Sequence, residues 1–236
     1  MTADPAQHLD LAILRPDALS AEVHRAATFA MHHGVGRLVA APAWTARLVT
    51  LLRGSGVRVV SAVGYPFGSG KSTVKAIEAT STLKDGADAI EVVPHHAYLL
   101  GLDLDGARAE LMEIVRAARA TRRDAAIAAT IEVDLLVPLD AGRRLRCLEV
   151  ACRAARESGC DGLVLGTGLR PASRDAVTES LALFRPLAHD LTLKALPAEA
   201  SHAVAALAAG ADRVGVVESP TLKTEIQAMR QTEVTR

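Results

Sequence analysis

Lysine is scarce in this chain. Only Lys71, Lys75, Lys84, Lys194 and Lys223 occur, five of 27 basic side chains, and the other 22 are arginines. A lysine held in an apolar stretch therefore needs a physical reason. Cysteine is scarcer still: Cys147, Cys152 and Cys160 form no C-x-x-C pair and are odd in number. They fit small helix residues in a reducing compartment, and they exclude a disulfide framework or a zinc site. Charge of one sign is absent too, with 27 Lys+Arg against 27 Asp+Glu. That balance argues against a nucleic-acid partner, which calls for a basic field. No run of 18 apolar residues occurs, so no membrane-spanning helix is expected. The opening MTADPAQHLD lacks a basic stretch leading into an apolar one, so no signal peptide is expected either. A soluble, cytoplasmic protein is the expectation.

What the chain does contain is apolar material in two rhythms. Half of its 236 residues are apolar, enough to bury a large core. Short β-branched runs at 9–14, 37–41, 58–63, 89–93, 127–133, 162–165, 192–196 and 213–217 are candidate strands. Between them the period lengthens to that of a helix at 21–33, 43–53, 72–84, 106–120, 141–158, 174–188 and 198–209, with a last helix from Pro220. In 141–158, Leu145, Leu148, Cys152 and Ala155 share one face, and Arg143, Arg146, Arg153 and Arg156 take the rest. A short repeat punctuates the pattern. Gly86-Ala87-Asp88, Gly159-Cys160-Asp161 and Gly210-Ala211-Asp212 each follow a helix and precede a strand, and Gly34-Val35-Gly36 stands in the same place earlier. Glycine there supplies the left-handed residue that ends a helix. Eight such units without a linker-like stretch predict one (β/α)8 barrel spanning residues 1–236. A doubly wound open sheet is the alternative, but no G-x-G-x-x-G follows the first strand.

Gly68-Ser69-Gly70-Lys71-Ser72-Thr73 has the look of a phosphate-binding loop. Such a loop needs a glycine five places before its Gly-Lys pair, and position 65 is tyrosine. A nucleoside triphosphatase is therefore not favoured.

In a barrel of this kind catalytic side chains come from the C-terminal ends of the strands. Those positions hold Asp10, Glu91, His95, His96, Glu132, Asp134, Lys194 and Glu218. Lys194 is the most informative, standing in the apolar run Leu191-Thr192-Leu193-Lys194-Ala195-Leu196. A buried ammonium is costly unless paired or neutral, so Lys194 is either functional or the member of an ion pair with Glu91, Glu132 or Glu218. Glu91 and Glu132 lie in similar apolar settings, whereas His95 and His96 follow Pro94 in a loop. Glu91, His95, Glu132 and Glu218 match no local metal-ligand spacing, so no metal is expected.

Several segments resemble the deoxyribose-phosphate aldolases. Leu9-Asp10-Leu11-Ala12-Ile13-Leu14-Arg15-Pro16-Asp17 is similar to that family's Asp-His-Thr-x-Leu-Lys-Pro-Asp. Gly64-Tyr65-Pro66-Phe67-Gly68 with Thr73-Val74-Lys75 and Glu78-Ala79 resembles its Gly-Phe-Pro-x-Gly and Glu-Val-Lys-x-x-Glu-Ala. The stretches at 86–93 and 129–132 resemble its next two strands, so the likeness runs in order over nearly the whole chain and implies a barrel. The family's Schiff-base lysine falls on Val164, in Gly159-Cys160-Asp161-Gly162-Leu163-Val164-Leu165-Gly166-Thr167-Gly168. A further active-site lysine falls on Ala128. The lysine of the seventh strand is kept as Lys194, and the proton-relay aspartate of the fourth becomes Glu91. In the phosphate site, Lys-x-x-Gly-Gly-x-Arg becomes Lys194-Ala195-Leu196-Pro197-Ala198-Glu199-Ala200, and Glu218 ends the stretch where Gly-x-Ser-Ser is usual. Arg170 offers partial compensation.

The resemblance implies an aldolase-like lyase without a cofactor, acting on a small carbonyl compound, and the departures in the phosphate site point to one that is not phosphorylated. Lys194, Glu91, Glu132 and Asp10 are its candidate catalytic residues, and His95, His96, Thr167, Arg170 and Glu218 its candidate substrate contacts. Lys194 either forms the Schiff base itself or stays charged while Glu91 moves a proton. The alternative is a non-catalytic barrel that binds a ligand or scaffolds a partner. A homodimer is expected from base rate and resemblance.

Overall fold

The computed structural model of the chain describes residues 4–167, 174–196 and 200–234. Eight parallel strands close into a barrel in chain order. They are β1 (Leu9–Ile13), β2 (Arg37–Ala40), β3 (Arg58–Val63), β4 (Ala89–Val92), β5 (Ala126–Ile131), β6 (Gly162–Leu165), β7 (Thr192–Ala195) and β8 (Arg213–Val217). The last strand pairs back onto the first, Asp10 beside Gly215. Helices α1 (Ser20–His33), α2 (Thr45–Leu51), α3 (Ser72–Lys84), α4 (His96–Leu100) and α5 (Leu104–Thr121) cover the first half. The second half carries α6 (Ala141–Ser158), α7 (Arg174–Leu187), α8 (Ala203–Ala208) and α9 (Leu222–Val234). The expected (β/α)8 barrel is thus observed. Only α4 has no counterpart in the sequence pattern, because five residues are too short to display a helical period. Of the expected helix at 198–209, residues 198 and 199 lie outside the described ones.

Strand residues divide between two apolar environments. Leu11, Leu38, Val59, Ile90, Ile127, Leu163, Leu193 and Val214 pack outward into one core beneath the helices. Val39, Val60 and Ala89 form a separate cluster inside the barrel, joined by Ala12, Leu14 and Ala126. Both faces are covered, which is why the strands are near-continuous apolar runs in the sequence.

The Gly-x-Asp repeat is a clamp. Gly159 ends α6 at φ +85°, a conformation open to glycine. Two residues on, Asp161 accepts the Ile127 N–H at 2.7 Å and both oxygens accept from Arg119. Asp88 accepts the Val59 N–H at 2.9 Å and a bond from Arg122. Asp212 accepts the Leu193 N–H at 2.8 Å and one from Arg185. The same guanidinium groups reach backbone carbonyls, Arg122 to Ala87 at 2.6 Å and Arg185 to Leu191 at 2.7 Å. A planar fork with five donors serves a carboxylate and a carbonyl together, which an ammonium does poorly. Arginine outnumbers lysine here partly for that reason.

The loop after β3 is built around a lysine. Gly68 sits at φ +65°, and a Cβ there would lie 2.2 Å from the Pro94 carbonyl oxygen, so no side chain fits. The Gly68 carbonyl accepts from Lys75 Nζ, which also donates to Glu110 Oε1 at 2.7 Å. Glu110 Oε2 takes the His95 N–H at 2.8 Å. The stretch that looks like a phosphate loop therefore wraps an ammonium of its own chain. Lys75 is 1% exposed, so Lys75→Met leaves the Glu110 carboxylate buried and uncompensated. It should lower stability by about 3–5 kcal/mol, read from the urea midpoint, and Lys75→Met combined with Glu110→Gln should recover part of that loss.

Candidate active site

The C-terminal ends of the strands open onto a cavity of 1140 Å³. Its walls are largely apolar, and Glu91 and Lys194 reach it from inside the barrel. The register sets Lys194 beside Val164 of β6 and Arg213 of β8. Its Nζ lies 2.7 Å from Glu91 Oε1 and 3.1 Å from Asp10 Oδ2. Asp10 Oδ1 in turn accepts from Arg213, with Nη2 at 2.6 Å and Nε at 2.8 Å. Strands β1, β4 and β7 are not neighbours, so these contacts cross the barrel interior. Asp10 is fully buried, Lys194 4% exposed and Glu91 8% exposed.

Burial is the largest influence on the Lys194 ammonium and opposes its charge. The carboxylates of Glu91 and Asp10 outweigh it and hold the lysine above its ordinary range. For Asp10 burial likewise opposes ionisation, and the charges of Lys194 and Arg213 outweigh it and hold the carboxyl low. Lys194 is a paired ammonium. Of the three partners anticipated from the sequence, Glu91 is one; Glu132 and Glu218 are not, and Asp10 takes the second place.

Glu132 stands just beyond β5, where it leads a short 3-10 turn, Val133–Leu135. Its Oε2 accepts from the Thr167 N–H at 3.2 Å and from the Thr167 hydroxyl. Its Oε1 is buried with no hydrogen-bond partner among the described residues. Thr167 lines the cavity and is itself buried. Glu218 lies at the mouth, 3.6 Å from Arg25. The two histidines are placed elsewhere, and neither lines the cavity. His95 is exposed and meets Tyr98 edge-on, with ring centres 5.4 Å apart. His96 opens α4, and its Nε2 accepts the Glu132 N–H at 3.0 Å. Arg170 lies outside the described residues. Among the described residues no three His, Cys, Asp or Glu side chains form a group able to hold a metal ion.

Sequence reasoning passed over Tyr65, which lines the cavity from the end of β3. Burial pushes its phenol up, and the charge of Glu132 adds to the effect. A signal existed, since tyrosine stands here where the resembled family has phenylalanine. Arg15 and Arg25 at the rim were also passed over. Arg15 is paired with Glu22 at 2.8 Å and Asp17 at 3.2 Å.

A closed parallel barrel with a lysine and a carboxylate facing a cavity at the strand ends defines an aldolase-type (β/α)8 barrel. The chain belongs to the deoxyribose-phosphate aldolase family. It is 32% identical over 217 residues to a deoxyribose-phosphate aldolase of Mycobacterium avium, covering 91% of this chain and 93% of that one. A Streptococcus suis protein of the same name is 27% identical over 225 residues, covering 94% of this chain and 96% of that one. Among solved structures, the tetrameric deoxyribose phosphate aldolase of Aeropyrum pernix superposes with a TM-score of 0.78 at 25% identity, covering 98% of this chain and 92% of that one. No protein-family model matches the chain. No helix among the described residues is long and apolar enough to cross a membrane.

His96 gives this site a measurable signature. Burial, foremost, pulls its pKa down to about 4, so the folded protein keeps the ring neutral. An unfolded chain protonates near its ordinary value of about 6.5, so the neutral ring favours the fold fully above that pH. This stability is lost as pH falls through 6.5 toward 4. Urea unfolding at pH 7 and pH 4.5 should differ by about 2–3 kcal/mol from this group, and His96→Gln should show a correspondingly smaller difference.

Proposed function

We propose that the chain is an aldolase-like lyase that performs acid–base chemistry on a small, non-phosphorylated aldehyde or ketone without forming a Schiff base. The observation that carries this reading is the pairing of Lys194 Nζ with two carboxylates, at 2.7 and 3.1 Å. Only a free amine attacks a carbonyl, and the two carboxylates favour the protonated form. Val164, next to Lys194 in register, occupies the position of the family's nucleophile and has no amine. Lys194 instead serves as a fixed ammonium toward the carbonyl oxygen. It stabilises the enolate that forms when Glu91 removes a proton from the α-carbon, in a site where such charge–charge contacts are little screened. Returning that proton regenerates the substrate, and passing the enolate to a second carbonyl forms a carbon–carbon bond. Asp10 holds Lys194 in place.

The rim supports a substrate without phosphate. Arg15 and Arg25 already face Glu22 and Glu218, and the Glu218 carboxylate repels a phosphate dianion. Thr167 lies in the wall beside Val164 and Lys194, where its hydroxyl helps to orient a small substrate.

The experiment is proton exchange in D₂O, followed by NMR with acetaldehyde, acetone and hydroxyacetone, alongside borohydride treatment of the same mixtures. Deuterium should enter the α-position of at least one of them. Lys194→Met and Glu91→Gln should each slow exchange by about 100-fold or more, in the range of lost general base or electrostatic catalysis. Peptide mass mapping should find no reduced adduct. An adduct on the Lys194 peptide would replace this reading with a Schiff base on Lys194. Binding of these carbonyl compounds without exchange would favour the non-catalytic barrel.

A further inference from the structure

Beneath Lys194, the barrel holds a second, small cavity of about 50 Å³. Arg37, Ala126, Gly162 and Arg213 open strands β2, β5, β6 and β8 and all line it, so it lies in the N-terminal half of the barrel, divided from the substrate cavity by Glu91, Val164 and Lys194, which line both. The space exists because the small residues Ala89, Ala126, Ala128 and Gly162 line it, where (β/α)8 barrels commonly fill the interior with larger side chains. It exceeds the roughly 10–15 Å³ that one water needs.

The charges around this space do not balance. Three cations line the space, the half-buried Arg37 and the buried Lys194 and Arg213, against the two carboxylates of Asp10 and Glu91 within the barrel. Asp10 Oδ1 is engaged by Arg213, Asp10 Oδ2 lies 3.1 Å from Lys194 Nζ without a hydrogen bond, and Glu91 Oε1 is held by Lys194. The remaining acid in the wall, Asp161, is taken by Arg119 and by the Ile127 amide. Arg37 is left over. It makes no ion pair or hydrogen bond with any described residue; the side chain is half-buried, and its Nε is fully buried without a protein acceptor. The charges of Asp10 and Glu91 attract it across the interior, while Arg213 and Arg58, its neighbour in register, repel it. The buried Nε donor calls for an acceptor, and the excess of positive charge lining the space favours an acceptor that carries a charge.

We propose that this cavity is a binding site for a small monovalent inorganic anion of the halide class, held by Arg37 and balanced against the interior cation surplus. A cation is disfavoured by the same surplus. A water molecule would accept the Arg37 hydrogen bond and leave the charge in place. The proposal rests on the charged Lys194 of the reading above; a lack of proton exchange alone leaves it standing, and a lack of bromide binding leaves that reading standing.

The test uses bromide. Crystals of the full chain soaked in sodium bromide should show an anomalous peak within hydrogen-bonding reach of Arg37 Nε. Thermal unfolding in sodium bromide should exceed that in sodium gluconate at equal ionic strength, the gluconate anion being too large for the cavity. A site with millimolar affinity raises the melting temperature by about 3 °C or more between 1 and 100 mM bromide. Arg37→Gln removes the ligand, and Ala126→Leu fills the space while keeping Arg37; each should abolish the bromide-specific rise. If Arg37→Gln fails to fold, Ala126→Leu and the wild-type crystal still decide. Equal melting curves in the two salts, a cavity holding water alone, or bromide found only on surface arginines as an adventitious ion would each overturn the proposal.

Discussion

The ammonium of Lys194 fixes the interior of this barrel. It joins β7 to β4 through Glu91 and to β1 through Asp10, strands that share no backbone hydrogen bond. Removing one partner from such an array leaves a buried charge unopposed, a far larger penalty than the net worth of the pair. The four linked side chains of the interior, Asp10, Glu91, Lys194 and Arg213, are therefore interdependent. Asp10 is held by Arg213 as well as by Lys194, and Arg213 is anchored on the backbone carbonyl of Gln7 at 2.9 Å. The position of the lysine is thus tied to the N-terminal end of β1, far from the substrate cavity.

Much of the fold was legible in the sequence, and the reasons are local. Strands buried on both faces appear as apolar runs, helices as a longer period, and Gly-x-Asp marks the junctions. Glu91 and Lys194 stood out because a charge inside an apolar run is conspicuous. The partner of Lys194 was only half legible, since a contact across a barrel leaves no spacing in the sequence, and Asp10 sits at the far end of the chain from it. Lys75 was hidden for the opposite reason. Its neighbours form a familiar loop pattern, and only the packing of Glu110 against it reveals an internal role. His96 stood in the sequence as a loop residue beside a proline. In the fold it is a neutral acceptor that joins the start of α4 to the end of β5.

The division of labour between the two kinds of basic residue follows from their shapes. Arginine does the carpentry: Arg119, Arg122 and Arg185 each grip a carboxylate, and Arg213 does the same inside the barrel. The two buried lysines each serve a single compact carboxylate cluster, Lys75 beneath a loop and Lys194 facing the cavity. A point charge on a flexible stem suits a place where a reacting group must approach, whereas the rigid fork suits a joint.

The clamps also carry a rhythm. Asp88 joins β4 to β3, Asp161 joins β6 to β5, and Asp212 joins β8 to β7. The first pair does without an aspartate, and Gly36 gives its N–H to the Ala6 carbonyl instead, at 3.1 Å. The lower rim is thus stitched in twos, like a barrel assembled from four quarters. The joints between quarters rest on the strand ladders and on the charges within. Three of the four even-numbered strands, β4, β6 and β8, are bound to their predecessors by an aspartate side chain, so the rim repeats by pairs where the sheet repeats by single strands.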